Sequence, residues 1–274
     1  MKMLSDITIG QYYKGESLVH KMDPRAKIIF TVLFVVMIFM CKNFLSLALV
    51  GAFVLLSMLS CGVPFRVFLK SLKPIVPVIF FTAVLNIFYV AGGDWEIPLF
   101  LGLKITEKGV MTAVFMAVRI IFLIIASSIL TYTTVPTMLT DAIEKLLSPL
   151  KLFRIPVHTL AMMMTLALRF IPTLIEEIEK ITNAQKARGA DFESGKFMDR
   201  VKAVVPILIP LFVSSFRRAY ELSFAMSCRC YTGGEGRTRM KQMKLHLRDA
   251  VGVIFFAVGI TGVVLLNKYF GAVI

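Results

Sequence analysis

Charged residues are scarce in this sequence: only 18% of its 274 residues are Asp, Glu, Lys or Arg, whereas 57% are hydrophobic. A soluble domain of this length needs more polar surface, so the composition excludes an ordinary soluble fold and favours a protein that lies in a bilayer. Negatively charged residues are the scarcer kind. The sequence has 17 Asp and Glu but 31 Lys and Arg, which gives a net charge of +14. Such a basic excess suits anionic membrane lipids or an acidic partner surface. No motif that interleaves basic and aromatic residues accompanies it, so we expect no nucleic acid partner.

Cysteine and histidine are also rare, with four and three copies. The histidines are scattered along the chain: His20, His158 and His246. A zinc site needs about four ligands at regular spacing, and the only close pair of cysteines is Cys228 and Cys230. We therefore expect no metal site, and we interpret all four cysteines, including Cys41 and Cys61, as small buried hydrophobic residues.

Motifs for catalysis and nucleotide binding are missing. The sequence contains no G-x-x-x-x-G-K-[ST] loop, no H-E-x-x-H and no usable Ser/His/Asp set. Glu176 and Glu177 form a carboxylate pair only in sequence, because adjacent residues on a helix point about 100° apart; solvation is the better interpretation of both. We therefore expect a protein that is not an enzyme, and any ATP must be hydrolysed by another chain.

Apolar stretches long enough to cross a bilayer are abundant, and a spanning helix needs about 20 such residues. Five stretches qualify: residues 26–40, 43–63, 74–92, 109–132 and 250–267. The first has a short uncharged part, so the lysine near its start must extend towards the membrane surface. The N-terminus is polar and has no apolar segment, so it does not resemble a cleaved signal peptide.

The distribution of Lys and Arg orients these five spans. Basic residues flank the first span and the second on one side: Lys14, Lys21, Arg25, Lys27, Arg66, Lys70 and Lys73. Most remaining cations lie in the long segment after the fourth span, which falls on that same side if the spans alternate. We therefore predict a multi-pass protein of the cell membrane with a cytoplasmic N-terminus and an external C-terminus.

Arg119 interrupts the fourth span. An arginine in the middle of a spanning helix costs about 2.5–3.5 kcal/mol on insertion scales, so it should face protein or water. It could contact an ion or a substrate, or the helix could sit at another depth than its apolar bounds indicate. We favour the second interpretation.

The segment between the fourth and fifth spans contains two long helices of the same plan. The first is predicted at about residues 157–188, with Gly189 as its αL cap, and the second at about residues 197–231, with Gly233 and Gly234 as its stop. Each begins with an apolar half and continues with a polar half. Prolines lie in the apolar halves and should bend both helices: Pro172, Pro206 and Pro210.

Both long helices end in an arginine between two small residues: Ala187, Arg188 and Gly189 in the first, and Cys228, Arg229 and Cys230 in the second. The helix dipole favours a cation at this position. Small neighbours also leave room around the guanidinium, as insertion into a partner's pocket would require. In the first helix, the cluster of Met162, Met163 and Met164 suits an interface that accepts several partners, although packing against a neighbouring helix explains it as well.

Three segments, in this order, resemble the transmembrane T component of energy-coupling factor transporters, the EcfT/CbiQ family, and together they extend over nearly the whole chain. The first is residues 10–27, which end in D-P-R-A-K. The second is residues 168–173 (L-R-F-I-P-T) with 184–191 (A-Q-K-A-R-G-A-D). The third is residues 215–222 (S-F-R-R-A-Y-E-L) with 225–234 (A-M-S-C-R-C-Y-T-G-G). The family's second triplet is usually A-R-G or A-R-S, so Cys228 and Cys230 depart from it, and a left-handed turn costs more with cysteine than with glycine.

The resemblance implies an all-α membrane protein with about five transmembrane helices and two long, crossed, amphipathic coupling helices in the cytoplasm. It implies a cytoplasmic N-terminus (residues 1–25), four spans (26–133), a cytoplasmic coupling segment (134–249) and a last span (250–274). In the family, the two triplets dock into two ABC-type ATPases, which bind ATP and Mg²⁺, so this chain itself needs no cofactor. The apolar, methionine- and proline-containing halves hold a substrate-binding S component for a vitamin or a metal ion such as cobalt or nickel.

A stand-alone secondary transporter or channel is the alternative function. Transporters and channels of that class have ionisable groups and broken helices near the membrane midplane. In this sequence, Arg119 is the only candidate for such an ionisable group. Within the family, the residues fit a dedicated metal-uptake permease and a shared module for several vitamins equally well.

Overall fold

A computed structural model describes residues 12–90, 92, 96–98, 104–153, 156–190, 197–233 and 246–270. The fold of this part is all-α, as the sequence predicts. Its helices are α1 (Pro24–Met40), α2 (Phe44–Cys61), α3 (Phe65–Leu72), α4 (Val76–Tyr89), α5 (Glu107–Thr133), α6 (Pro136–Leu146), α7 (Val157–Ala187), α8 (Phe197–Cys228) and α9 (Leu247–Tyr269). A short antiparallel ribbon, β1 (Glu96–Pro98) with β2 (Lys104–Thr106), pairs Ile97 with Ile105 and leads into α5.

The described residues form two compact units, which we treat separately. The membrane bundle comprises residues 12–142 and 246–270, and the long-helix unit comprises residues 143–233. Helices α1 to α5 and α9 belong to the membrane bundle, and α7 and α8 belong to the long-helix unit. The change of unit falls within α6, after Ala142.

Helices α1, α2, α5 and α9 supply most of the core of the membrane bundle, and α3 adds Phe68. The ring of Phe256 stacks on Phe30 at 4.9 Å between centroids and meets Phe34 edge to face at 4.5 Å. A Cβ on Gly51 would lie 2.5 Å from the ring of Phe122, so α2 and α5 can approach this closely only because position 51 has no side chain. Close packing through small residues stabilises helix pairs in lipid, where hydrophobic burial contributes little.

The protein is a multi-pass membrane protein. Among the described residues, six helical segments are long and apolar enough to cross a membrane: Phe44–Cys61, Phe65–Tyr89, Glu107–Thr133, Val157–Ala187, Lys202–Cys228 and Leu247–Tyr269. Four of them overlap predicted spans, and the other two are the long helices α7 and α8. The first predicted span corresponds to α1, which has 17 residues, or about 25 Å, and is not among the six.

The helical segment that contains most of the third predicted span begins before that span. The prediction placed its start at Pro74, but α3 already begins at Phe65, and a 3-10 turn at Lys73–Ile75 joins it to α4. Pro74 and Pro77 both lie in first turns, where a missing N–H and a fixed φ do little harm. The two prolines therefore do not separate the apolar segment from the basic residues that precede it.

Arg119 lies level with the ends of three helices of the membrane bundle. Its Nη2 donates to the backbone oxygen of Cys41 at 2.7 Å, in the turn from α1 to α2. At that same turn, the amide of Asn267 in α9 donates to the oxygen of Met40 at 2.7 Å. Arg119 is thus level with the ends of α1, α2 and α9 and not with their midpoints. The first 12 residues of α5, about 18 Å, precede Arg119 and extend beyond these ends. This agrees with the interpretation that the helix sits at another depth.

Lys27 lies at the opposite end of the membrane bundle. The sequence predicts that its side chain extends towards the membrane surface, but the residue is buried. Only 6% of the residue is exposed. Its ammonium donates to the backbone oxygens of His20 at 3.1 Å and Thr133 at 3.0 Å, and to the hydroxyl of Thr134 at 3.4 Å. These three acceptors replace water around the charge.

The carboxylate of Asp249 joins the beginnings of α1 and α9 beside this lysine. It accepts the backbone N–H of Asp23 at 3.0 Å and that of His246 at 2.8 Å. The side chain of Asp23 in turn caps α1 by accepting the N–H of Arg25 at 2.9 Å. The D-P-R-A-K segment is therefore a buried junction of the bundle.

Candidate functional site on the two long helices

Helices α7 and α8 pack antiparallel, and polar contacts at three levels fix their register. Near the end of α7, Gln185 donates to the oxygen of Pro206 at 3.4 Å. In the middle, Arg218 donates to Glu177 at 2.9 Å. At the start of α7, the hydroxyl of Tyr231 donates to the sulfur of Met162 at 3.1 Å. The apolar half of each helix therefore lies beside the polar half of the other.

The first triplet forms the predicted left-handed cap of α7. The helix ends at Ala187, Arg188 is its C-cap and Gly189 has φ 88°. The N–H of Gly189 bonds to the oxygen of Lys186 at 3.0 Å, and the N–H of Ala190 bonds to that of Gln185 at 3.0 Å. These two backbone hydrogen bonds together define the Schellman motif. Glycine is favoured at its left-handed position because it has no Cβ.

The second triplet has the same geometry without a glycine. The N–H of Cys230 bonds to the oxygen of Ser227 at 2.9 Å, and the N–H of Tyr231 bonds to that of Met226 at 3.1 Å. Cys230 has φ 57°, so a cysteine occupies the left-handed position. The prediction that α8 continues to about residue 231 and stops at Gly233 was therefore wrong, because this cap ends the helix at Cys228.

The burial predicted for the cysteines is correct for only two of them. Cys41 and Cys61 are buried in the membrane bundle, whereas Cys228 and Cys230 are exposed at the end of α8. The physical reason is the cap itself, which turns the chain away from the helix at this point. Both small residues of the second triplet thus leave Arg229 accessible, in the same way that Ala187 and Gly189 leave Arg188 accessible.

Arg188 and Arg229 lie at opposite ends of the helix pair. Both are exposed, and neither side chain has a hydrogen bond or ion pair with another residue that the structure describes. Because α7 has 31 residues, its two ends are about 46 Å apart. Each arginine follows the last turn of its helix, where the dipole favours a cation. The arrangement offers two separate guanidinium groups to acidic or carbonyl-lined pockets.

Apolar side chains along both helices are strongly exposed. On α7, Met163 and Met164 are 50% and 48% exposed, whereas Met162 is partly covered by Tyr231. On α8, Phe212 and Phe216 are 66% and 64% exposed. An apolar surface of this extent indicates an interface with lipid or with another apolar protein.

The prolines lie inside helices that continue through them. Pro172 is within α7, and Pro206 and Pro210 are within α8. The oxygen of Pro206 accepts the side-chain amide of Gln185, so this segment of α8 is tied to the end of α7.

Glu177 joins the two helices, although the sequence suggested a solvated carboxylate. One carboxylate oxygen accepts the guanidinium of Arg218 at 2.9 Å, and the other accepts the hydroxyl of Ser214. Its side chain is only 21% exposed. A charge-assisted contact of this kind fixes both the register and the distance of two helices.

A cleft of about 550 Å³ opens between α7 and α8, between this contact and the start of α7. One wall follows a helical stripe of α7 through Met163, Leu166, Phe170 and Leu174. Glu177 comes three residues after Leu174 and so continues the stripe. This spacing is the signal in the sequence that could have identified Glu177 as an inward-facing residue.

Within the described residues, no group of three or more His, Cys, Asp or Glu side chains could hold a metal ion. The nearest approach to such a group in the long-helix unit is one pair, His158 with Glu144, at 3.1 Å.

Comparison with known proteins places the chain in a family. Residues 15–240 match the family model of CbiQ, described as a cobalt transport protein. The chain is 48% identical over 271 residues to the energy-coupling factor transporter transmembrane protein EcfT of Ruminiclostridium cellulolyticum, covering 98% of this chain and 100% of that protein. It is 51% identical to the EcfT of Clostridium kluyveri (91% and 92% coverage) and 46% identical to that of Bacillus subtilis (92% and 95% coverage). The chain therefore belongs to the EcfT/CbiQ family of transmembrane components of energy-coupling factor transporters.

Proposed function

We propose that this protein is the coupling subunit of an ATP-driven importer, which transmits the motion of two ABC-type ATPase subunits to a substrate-binding S component. The main support for the proposal is that α7 and α8 end in the same type of cap, each with an exposed arginine. Two exposed arginines, Arg188 and Arg229, each lie within a Schellman motif, directly before its left-handed residue, and at opposite ends of one antiparallel pair. Two separate ends suit two ATPase subunits.

Docking of each end would place a guanidinium in an ATPase groove. The fork of an arginine pairs with carboxylate or carbonyl oxygens in fixed geometry. The flanking residues in both triplets are small, which leaves space for the walls of a groove: Ala187, Gly189, Cys228 and Cys230. ATP and Mg²⁺ would bind to the ATPases, and this chain would remain without a cofactor and without catalysis of its own.

The S component would pack on the exposed apolar surface of the long helices. This surface includes Met163 and Met164 on α7 and Phe212 and Phe216 on α8. Methionine adapts its shape to different partners, so the surface could serve one S component or several. The family model that this chain matches is described as a cobalt transport protein, which supports a metal ion as one substrate class; vitamins are the other.

Motion would pass between the ends because the helices are tied together. The contact of Glu177 with Arg218 holds their middle, and the bond from Gln185 to Pro206 holds one end. The prolines Pro172, Pro206 and Pro210 interrupt the helical hydrogen-bond ladder and allow each helix to bend. A rotation at one arginine would thereby tilt the apolar surface.

The basic end of the membrane bundle would face the cytoplasm. Lys14, Lys21 and Arg66 are exposed at the end where α1 begins and α2 ends, and the positive-inside rule assigns such an end to the cytoplasm. The end of α9 at Tyr269 would then lie outside. Arg119, level with this external end of the bundle, would not contact a substrate at the midplane, which argues against a stand-alone transporter.

The test is affinity capture of the protein from its native membrane in mild detergent. We expect one or two ABC ATPases and a small hydrophobic protein to be captured with the wild-type chain. Arg188→Glu combined with Arg229→Glu should reduce the captured ATPase roughly 30-fold or more, because breaking a buried, hydrogen-bonded charge pair costs about 2–5 kcal/mol. The small hydrophobic protein should still be captured.

A matched control reverses two other exposed charges on the same helices, Lys180→Glu with Arg217→Glu, and should leave ATPase capture unchanged. Equal capture by the arginine variant and the wild type would refute the docking role. Recovery of the chain alone, able to move a solute after reconstitution, would instead identify a stand-alone transporter.

A further inference from the structure

One cavity of the membrane bundle has no part in the proposed function. It has a volume of about 290 Å³ and lies between α1, α2, α5 and α9. Its lining is almost entirely apolar, and its inner wall includes Phe34, Ala126 and Phe255. It follows α1 from Lys27 to Phe34, which is about 10 Å along the helix. An apolar cavity of this kind does not hold water stably and instead favours an apolar occupant.

Two cations line this cavity, the buried Lys27 and the exposed Arg248, and only one is available to a ligand. All three donors of the Lys27 ammonium already point to oxygens of the protein. Arg248, in the first turn of α9, is exposed and has no hydrogen bond or ion pair with another residue that the structure describes. The cavity therefore combines an apolar interior with one uncommitted guanidinium at its entrance.

The mouth opens at the basic end of the membrane bundle. Helices α1 and α9 begin there, and α2 and α5 end there. Exposed cations at this end, such as Lys14 and Lys70, attract anionic headgroups near the membrane surface. Basic pockets between transmembrane helices at this depth are known to bind anionic lipid headgroups.

We propose that this cavity binds an anionic phospholipid, with one acyl chain between α1, α2, α5 and α9 and its phosphate on Arg248. A guanidinium binds phosphate oxygens through two parallel hydrogen bonds. The apolar walls accept the chain, and Ser60, exposed at the rim, leaves the entrance open. The site does not depend on the docking role proposed for Arg188 and Arg229.

The experiment uses the full chain, with any subunits that purify with it, in lipid nanodiscs. Each disc contains a trace of a phospholipid that carries a photoreactive diazirine on one acyl chain. The probe has either a phosphatidylglycerol or a phosphatidylcholine headgroup. After irradiation, mass spectrometry identifies the labelled residues. We expect phosphatidylglycerol to label residues of the cavity wall, such as Phe34 and Phe255, about fivefold more than phosphatidylcholine does. Both leaflets of a disc are alike, so the result does not depend on the orientation of the protein.

Two variants test the parts of the site separately. Arg248→Glu should reduce labelling of the wall by phosphatidylglycerol about fivefold or more, whereas Arg66→Glu, a matched change outside the cavity, should not. Ser60→Phe should reduce labelling by filling the rim without changing a charge. Equal labelling by the two headgroups in the wild type would overturn the proposal even if a variant failed to fold. Unlabelled walls with both probes would also overturn it.

Discussion

Cys230 shows at the level of one residue how this chain departs from its family. It has φ 57° at the position where α7 has Gly189, and a left-handed conformation costs an L-residue with a Cβ roughly 1–2 kcal/mol. The cap nevertheless forms, since its two backbone bonds match those of the first triplet. The left-handed turn therefore forms with cysteine in place of glycine, and it lowers the stability of the fold by the cost of this conformation.

Cys230→Gly should relieve this cost. We expect a stabilisation of about 1 kcal/mol, which corresponds to an increase in the apparent Tm of about 2–4 °C for a protein of this size. Thermal unfolding of the purified protein in detergent measures it. Cys228→Gly is the matched control and should lower the Tm, because residue 228 is helical and glycine weakens a helix. A lower Tm for Cys230→Gly would contradict the assigned backbone strain.

The pair of α7 and α8 shows what could be predicted at the level of elements. The apolar and polar halves, the cap at Gly189 and the arginine at each end follow from composition and from local turn chemistry, and the structure has them all. The end of α8 could not be predicted in this way, because propensity rules assign the left-handed position to Gly233 and not to Cys230. The inward position of Glu177 was missed because the carboxylates around it, including the exposed Glu176, hide its place on the apolar stripe.

The contact between Glu177 and Arg218 should contribute to the stability of the helix pair. A double-mutant cycle with Glu177→Ala and Arg218→Ala should give a coupling energy of about 1 kcal/mol, since the pair is partly buried and hydrogen-bonded. Unfolding of each variant in detergent gives the four free energies. The neighbouring pair Glu176→Ala and Arg217→Ala consists of exposed residues of the same types and should show no coupling. Equal coupling in both cycles would mean that Glu177 is not specifically paired.

At the scale of the whole molecule, the membrane bundle has two chemically different ends. One end has the buried junction of Lys27 and Asp249 and a group of exposed cations. The other has the turn from α1 to α2, held by Arg119 and Asn267. The distribution of charge in the sequence predicts this asymmetry. It does not reveal that Lys27 is buried, because burial depends on oxygens of Thr133 and Thr134, more than 100 residues away.

The proposed orientation predicts that Lys14 and Lys268 lie on opposite sides of the membrane. Both are exposed and belong to opposite ends of the membrane bundle. In a Cys228→Ser, Cys230→Ser background, Lys14→Cys should react with a membrane-impermeant maleimide only in inside-out vesicles. Lys268→Cys should react only in intact cells. The background alone should not react, because Cys41 and Cys61 are buried. Reaction of both introduced cysteines from the same side would show an even number of crossings between them, and the positive-inside assignment of this chain would then be wrong.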